Sequence, residues 1–206
     1  MQKVALILAS ASPRRADLLT RLGLSLEIIR PAVDETPQPG ESPAAMAARL
    51  AASKCSQVAG RCGTEPDRII LAADTVVVLG DRILGKPVDR EDAVRMLLLL
   101  GGRSHQVLTA VSLYRTGTGR QVHDLRSTEV RFHALDRSRI DWYVATGEPD
   151  DKAGAYGIQG AGAVLVEGIL GSWSNVVGLP VEMLPFWLEE LGVDFQELAG
   201  QPTSPA

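Results

Sequence analysis

Residues 69–87 read Ile-Ile-Leu-Ala-Ala-Asp-Thr-Val-Val-Val-Leu-Gly-Asp-Arg-Ile-Leu-Gly-Lys-Pro. The run is apolar and β-branched, with one carboxylate, Asp74, in its middle. Such a run reads as a strand covered on both faces. Gly80-Asp81 reads as a two-residue hairpin turn of the Gly-X kind. In that register Leu79 opposes Arg82, Thr75 opposes Lys86, and Asp74 lies beside Lys86, or directly opposite it with a one-residue bulge. A charge inside a buried strand is costly unless it is paired, hydrogen-bonded or functional. Two readings of Asp74 therefore stand: a structural Asp–Lys pair, or a working carboxylate.

N-terminal to this stretch, residues 3–8 form a continuous apolar run, read as a buried strand. Ala9-Ser10-Ala11-Ser12 follows, then Pro13 opens a helix with Leu18, Leu19 and Leu22 on its apolar side, ended by Gly23. Arg14 and Arg15 fall in the first turn, where the helix dipole is positive and cations cost a few tenths of a kcal/mol each. Hydroxyls, free backbone N–H groups and two arginines at a helix start make an anion site, with two solvated arginines as the alternative. Residues 24–30 read as a second strand, and Ala32–Pro37 as an acidic loop whose carboxylates either hold a metal or are solvated loop charges. Ser42-Pro43 starts a helix to about residue 58 that carries Lys54, and residues 59–67 read as a polar loop.

C-terminal to the hairpin, Asp89 caps a helix to about Leu100, stopped by Gly101-Gly102. Val107–Tyr114 and Gln121–Phe132 flank Gly117-Thr118-Gly119 as a long hairpin. Asp136 caps a helix to Ala145, ended at Gly147. His105, His123 and His133 have no motif partner and read as structural or surface residues. Lys152-Ala-Gly-Ala-Tyr-Gly-Ile-Gln159-Gly160 is glycine-rich, which lets backbone approach a ligand closely or merely makes a turn. The Gln159 amide offers a donor beside an acceptor, which suits the O4/N3–H edge of uracil or thymine. Residues 163–170 read as a strand, and a last helix to about Leu191 contains Pro185, which should kink or divide it. Hairpins among helices predict an α/β fold with a mixed, strongly twisted sheet flanked by helices.

The 206 residues suit one domain or two closely joined lobes. We place a single domain over residues 1–198 and a disordered tail over 199–206. A net charge of −4 disfavours a nucleic-acid polymer as partner but not a small anion. Cys55 and Cys62 have neither zinc nor disulfide spacing, so reduced thiols and a cytoplasmic location are expected. The N-terminal apolar run is too short for a signal peptide, and no stretch suits a membrane span.

Leu8-Ala9-Ser10-Ala11-Ser12-Pro13-Arg14-Arg15, Ala73-Asp74-Thr75-Val76-Val77, Gly85-Lys86-Pro87, Lys152–Gly160 and Val176-Val177-Gly178-Leu179-Pro180 occur in that order. Together they resemble the Maf family of nucleoside triphosphate pyrophosphatases, also called septum-formation-inhibitor-like proteins. The resemblance runs to about residue 195. It implies an inosine-triphosphatase-like architecture of two lobes with a central cleft, a divalent cation (Mg²⁺ or Mn²⁺), a cytoplasmic location and often a homodimer. It also implies cleavage of a nucleoside triphosphate to monophosphate and pyrophosphate, with Asp74 as general base. Ser10, Ser12, Arg15, Lys54, Lys86 and Lys152 would then hold phosphates and Glu35 the metal. Family members acting on dTTP and UTP carry Arg, Thr and Gln at the positions of Arg14, Thr75 and Gln159, whereas 7-methyl-GTP members carry different residues there. The alternatives are a pyrophosphatase for 7-methyl-GTP or other modified nucleotides, and a non-catalytic regulator of septum formation.

Overall fold

A computed structural model describes residues 4–64 and 66–199. In chain order the elements are β1 (Ala5–Leu8), α1 (Pro13–Arg21), β2 (Leu26–Ile28), α2 (Pro43–Cys62), β3 (Arg68–Leu79) and β4 (Arg82–Leu84). Then come α3 (Arg90–Leu100), β5 (Ser104–Arg115), β6 (Gln121–Phe132), α4 (Arg137–Ala145), β7 (Val166–Leu170), α5 (Trp173–Val177), α6 (Leu184–Glu190) and α7 (Phe195–Leu198). Among the described residues, seven strands form one sheet in the order β2-β1-β3-β5-β6-β7, with β4 paired to β3. β1 is parallel to both β2 and β3, whereas β3–β4 and β6–β7 are antiparallel. This is the expected mixed α/β class. No helix among the described residues is long and apolar enough to cross a membrane.

The chain divides into two compact units. Among the described residues, the first comprises 4–64, 66–74, 110–125 and 178–199; the second comprises 75–109 and 126–177. In the first, β1 and the start of β3 are apolar on both faces, as parallel central strands must be. Ile7, Ile70 and Ala72 pack there with Cys55 and Val58 of α2. Ala59 and Cys62 also pack on this core, so α2 runs through residues read as loop and ends only at Gly63, where φ is +65°. Leu24 and Ala199 form an isolated bridge. The rest of the expected disordered tail, 200–206, lies outside the described residues.

In the second unit, Leu97, Leu100, Val130, Ile140 and Leu165 pack around three aromatic groups. Phe132 meets Tyr156 edge-on at 4.7 Å between ring centroids, and His105 meets both rings edge-on at 5.1 and 5.3 Å. The Tyr156 hydroxyl is 2.8 Å from His105 Nε2. His105 is thus a core residue, whereas His123 and His133 are exposed. Asp89 and Asp136 cap α3 and α4 as expected, accepting from Asp92 N and Arg139 N.

Two local expectations change. The turn at Gly80 (φ +61°) pairs Leu79 with Arg82 as read, but the ladder stops at Val77–Leu84. The Gly85 carbonyl instead accepts the N–H of Gly154, so Thr75 and Lys86 are not ladder partners. The strand expected over 163–170 begins only at Val166, because Ala161–Leu165 is a 3₁₀ turn with its first N–H groups satisfied by a side chain. The last helix is divided as expected: Val181–Met183 is a 3₁₀ turn and α6 begins at Leu184, so Pro185 stands in its first turn, where its missing N–H costs nothing.

Burial pushes His105 down from 6.5 to about 4. The unfolded chain therefore binds a proton below pH 6.5 that the folded chain refuses until about pH 4, and stability falls as pH drops through that window. At about 1.4 kcal/mol per unit, this group alone should remove ~3 kcal/mol between pH 7.5 and 4. Urea unfolding across this range should show a shallower pH dependence in His105→Gln; an unchanged slope would assign the acid loss to other groups.

Candidate active site

Two cations and a carboxylate are brought into the interior of the first unit by ordinary secondary-structure periodicity. On α2 the buried stripe is Met46, Ala47, Leu50, Ala51, Lys54, Cys55 and Val58. Lys54 lies one turn beyond Leu50 and one turn before Val58, so the helix carries its ammonium inward. On α1 the buried residues are Arg15, Leu18 and Leu19, the same i, i+3, i+4 pattern led by a guanidinium. Asp74 stands on β3 among the buried residues Ile69–Ala73 and Val76–Val78.

Asp74 is 8% exposed and Lys54 9%. Lys54 Nζ is 2.7 Å from Asp74 Oδ1 and 2.6 Å from Glu35 Oε1, while the Glu35 side chain is 56% exposed. The ammonium beside Asp74 is therefore that of Lys54, from a helix twenty residues away, rather than the Lys86 expected from the hairpin. Burial raises the Asp74 carboxyl above the ordinary carboxylate range. Lys54 and Arg15 pull it back, and the Glu35 charge adds to the rise. Desolvation is the larger effect, so the pair does not hold Asp74 as a fully relaxed carboxylate.

At the start of α1, Arg15 Nε donates to the Gly178 carbonyl at 2.8 Å and Nη1 to Ser10 Oγ at 3.2 Å. Ser10 Oγ also accepts the N–H of Ser12 at 3.1 Å. With both lone pairs engaged, the Ser10 hydroxyl has its proton left to donate. Ser12 precedes the helix with an extended backbone, but its side chain makes no cap bond, and the first turn contains no acidic residue. Helix N–H groups left without a side-chain cap and two arginines remain the chemistry of an anion site. Arg14 is half-buried beside this turn.

The other expected residues lie in the second unit. Thr75 follows Asp74 in β3, and its Oγ1 is 3.0 Å from Thr109 Oγ1, which donates to the Asn175 carbonyl. Lys86 and Gln159 are exposed. Lys152 Nζ is engaged with the Glu148 carbonyl at 2.6 Å and Asp151 Oδ1 at 2.8 Å. Among the described residues no group of three or more His, Cys, Asp or Glu is placed to hold a metal alone. Glu35 and Asp74 are hard oxygen donors converging on one cation, Lys54. Two carboxylates fit an ion that draws its remaining ligands from phosphate and water, as Mg²⁺ commonly does.

A family model described as Maf-like protein matches residues 5–191. The chain is 52% identical over 179 residues to the dTTP/UTP pyrophosphatase of Anaeromyxobacter dehalogenans, covering 85% of this chain and 88% of the relative. It is 49% identical over 187 residues to the dTTP/UTP pyrophosphatase of Symbiobacterium thermophilum, covering 91% and 94%. It is 47% identical over 193 residues to that of Shewanella oneidensis, covering 91% and 98%. A solved nucleoside-triphosphatase / dITP/XTP pyrophosphatase from Mycobacterium abscessus aligns over 63% of this chain and 74% of that one, at 15% identity and a TM-score of 0.37.

Because its pKa is raised, ionised Asp74 costs folding free energy above the ordinary carboxylate range, and protonation relieves that cost. Asp74→Asn should therefore melt at or above the parent temperature at pH 8, with the advantage shrinking toward pH 4. Calorimetry at both pH values checks this. A variant clearly less stable at pH 8 would mean that the Lys54 attraction outweighs desolvation.

Proposed function

The chain belongs to the Maf-like protein family, and we propose that it hydrolyses dTTP and UTP to the nucleoside monophosphate and pyrophosphate. The observation that carries the reading is Asp74: a buried carboxylate with a raised pKa, flanked by Lys54 and Arg15. Such a group is a better proton acceptor than a solvent carboxylate, because its pKa lies nearer the working pH. In the proposed step Asp74 takes a proton from water. The water oxygen bonds to phosphorus, and the bridging α–β anhydride bond breaks to release pyrophosphate. Phosphoryl chemistry asks little more of the protein than position and charge neutralisation.

Ser10, Ser12, Arg15 and the N-terminus of α1 supply donors for phosphate oxygens, and Lys54, Lys86 and Lys152 add positive charge. Glu35 would hold a divalent cation, Mg²⁺ or Mn²⁺, whose chemistry would be to neutralise phosphate charge and polarise the phosphoryl group. Arg14, Thr75 and Gln159 are assigned to the pyrimidine base. Their support is the residue types, which match the dTTP/UTP class at all three positions. A homodimer and a cytoplasmic location complete the proposal.

Pyrophosphate release from dTTP, UTP, CTP, GTP and 7-methyl-GTP should show dTTP and UTP turned over well above the rest. Comparable rates across the panel would remove the substrate assignment. Asp74→Asn should lose at least about a hundredfold in kcat, and an unchanged rate would remove Asp74 as the base.

A further inference from the structure

The Gly157–Gly162 segment is held from inside by two side chains that the reaction does not use. The Tyr143 hydroxyl donates to Glu148 Oε1 at 3.0 Å and accepts the N–H of Gly157 at 3.1 Å. Glu148 Oε2 accepts the N–H of Ala161 at 2.7 Å, and Oε1 that of Gly162 at 3.2 Å. The backbone is therefore pinned two residues before Gln159 and two residues after it.

The glycines fit this hold rather than an open cradle. A Cβ on Gly160 would stand 2.2 Å from Glu148 Oε2. One on Gly162 would stand 2.4 Å from the Gly157 carbonyl and 2.8 Å from the Tyr143 hydroxyl, and one on Gly157 would stand 2.7 Å from Lys152 Cε. The three glycines leave room for the carboxylate, the phenol and the lysine stem. Hydrogen bonds to an ionised acceptor are the stronger kind, and three of them converge on one side chain.

We propose that Glu148 is a positioning residue for base recognition: with Tyr143 it shapes the turn that carries Gln159, and through that turn it sets how well the enzyme tells uracil and thymine from other bases. The proposal rests on the assignment of Gln159 to the base in the dTTP/UTP reading. Glu148 itself touches no reacting atom.

The test is a cycle of four proteins, namely the parent, Glu148→Ala, Gln159→Ala and the double variant, assayed with dTTP, UTP and CTP. Glu148→Ala should raise KM for dTTP and UTP more than it lowers kcat. It should also cut the preference for UTP over CTP by about tenfold. In the Gln159→Ala background the same change should move that preference less than about threefold, because coupled residues are not additive. Equal effects in both backgrounds would overturn the proposal, as would an unchanged preference in Glu148→Ala. Glu148→Gln keeps one carbonyl acceptor, so it should fall between parent and alanine, and it carries the test if the alanine variant does not fold. Amide exchange at Gly157, Ala161 and Gly162 should speed up in Glu148→Ala, and unchanged protection there would also overturn the proposal. A parent that does not prefer UTP over CTP would overturn the functional reading itself, and the proposal with it.

Discussion

Burying a carboxylate in the middle of the central strand β3 is the constraint on which the rest of this molecule depends. Asp74 cannot move to the surface without shifting β3, whose neighbours are buried on both faces. Nor can it relax: of the two cations that offset its desolvation, Lys54 is held by the apolar stripe of α2 and Arg15 by that of α1. The helices exist for their own hydrophobic reasons, and the charges are carried inward by phase. Replacing a buried pair with apolar residues is often neutral or stabilising, so stability alone is a weak reason for this one. A raised carboxyl held by geometry that stability does not demand is what a proton acceptor requires.

Glu148 shows the other way to place a carboxylate. Its oxygens accept two backbone N–H groups and a phenol, neutral donors that match its lone pairs without supplying a counter-charge. The result is a structural hub whose work is to hold a turn. Asp74 has one short bond to an ammonium that is shared with exposed Glu35. Two acids of the same chain thus differ in what surrounds them: three neutral hydrogen-bond donors in one, partly compensated desolvation in the other.

Much of this was legible in the residues. The apolar strands β1 and β3, the Gly80 turn and the Asp89 and Asp136 caps follow from local rules, and the structure places them as read. The partner of Asp74 did not follow from the hairpin. A strand register specifies neighbours only while the ladder lasts, and this one ends at Leu84 because Gly85 bonds to Gly154. Yet a signal for Lys54 was available. Leu50, Lys54 and Val58 are spaced four apart, and Arg15 leads Leu18 and Leu19 at i+3 and i+4 on α1, so both cations fall on an apolar helix face. A cation in phase with an apolar stripe either snorkels or finds a partner inside; Lys54 pairs with Asp74, and Arg15 bonds to the Gly178 carbonyl and Ser10.

The glycines of residues 154–162 carry a harder lesson, because glycine spacing alone does not say what fills the missing Cβ. Close approach of a ligand and close approach of the protein's own side chain leave the same sequence trace. The difference lies in what else the neighbourhood must satisfy. Gly157, Ala161 and Gly162 present N–H groups at the ends of a short irregular segment, where no helix or ladder accepts them. Glu148 and Tyr143 accept them instead. Such groups are rarely left unmet in the interior, so an acidic or phenolic residue near a glycine-rich turn is first a candidate for satisfying that turn. Gln159, whose side chain the turn leaves exposed, is then available to meet a ligand.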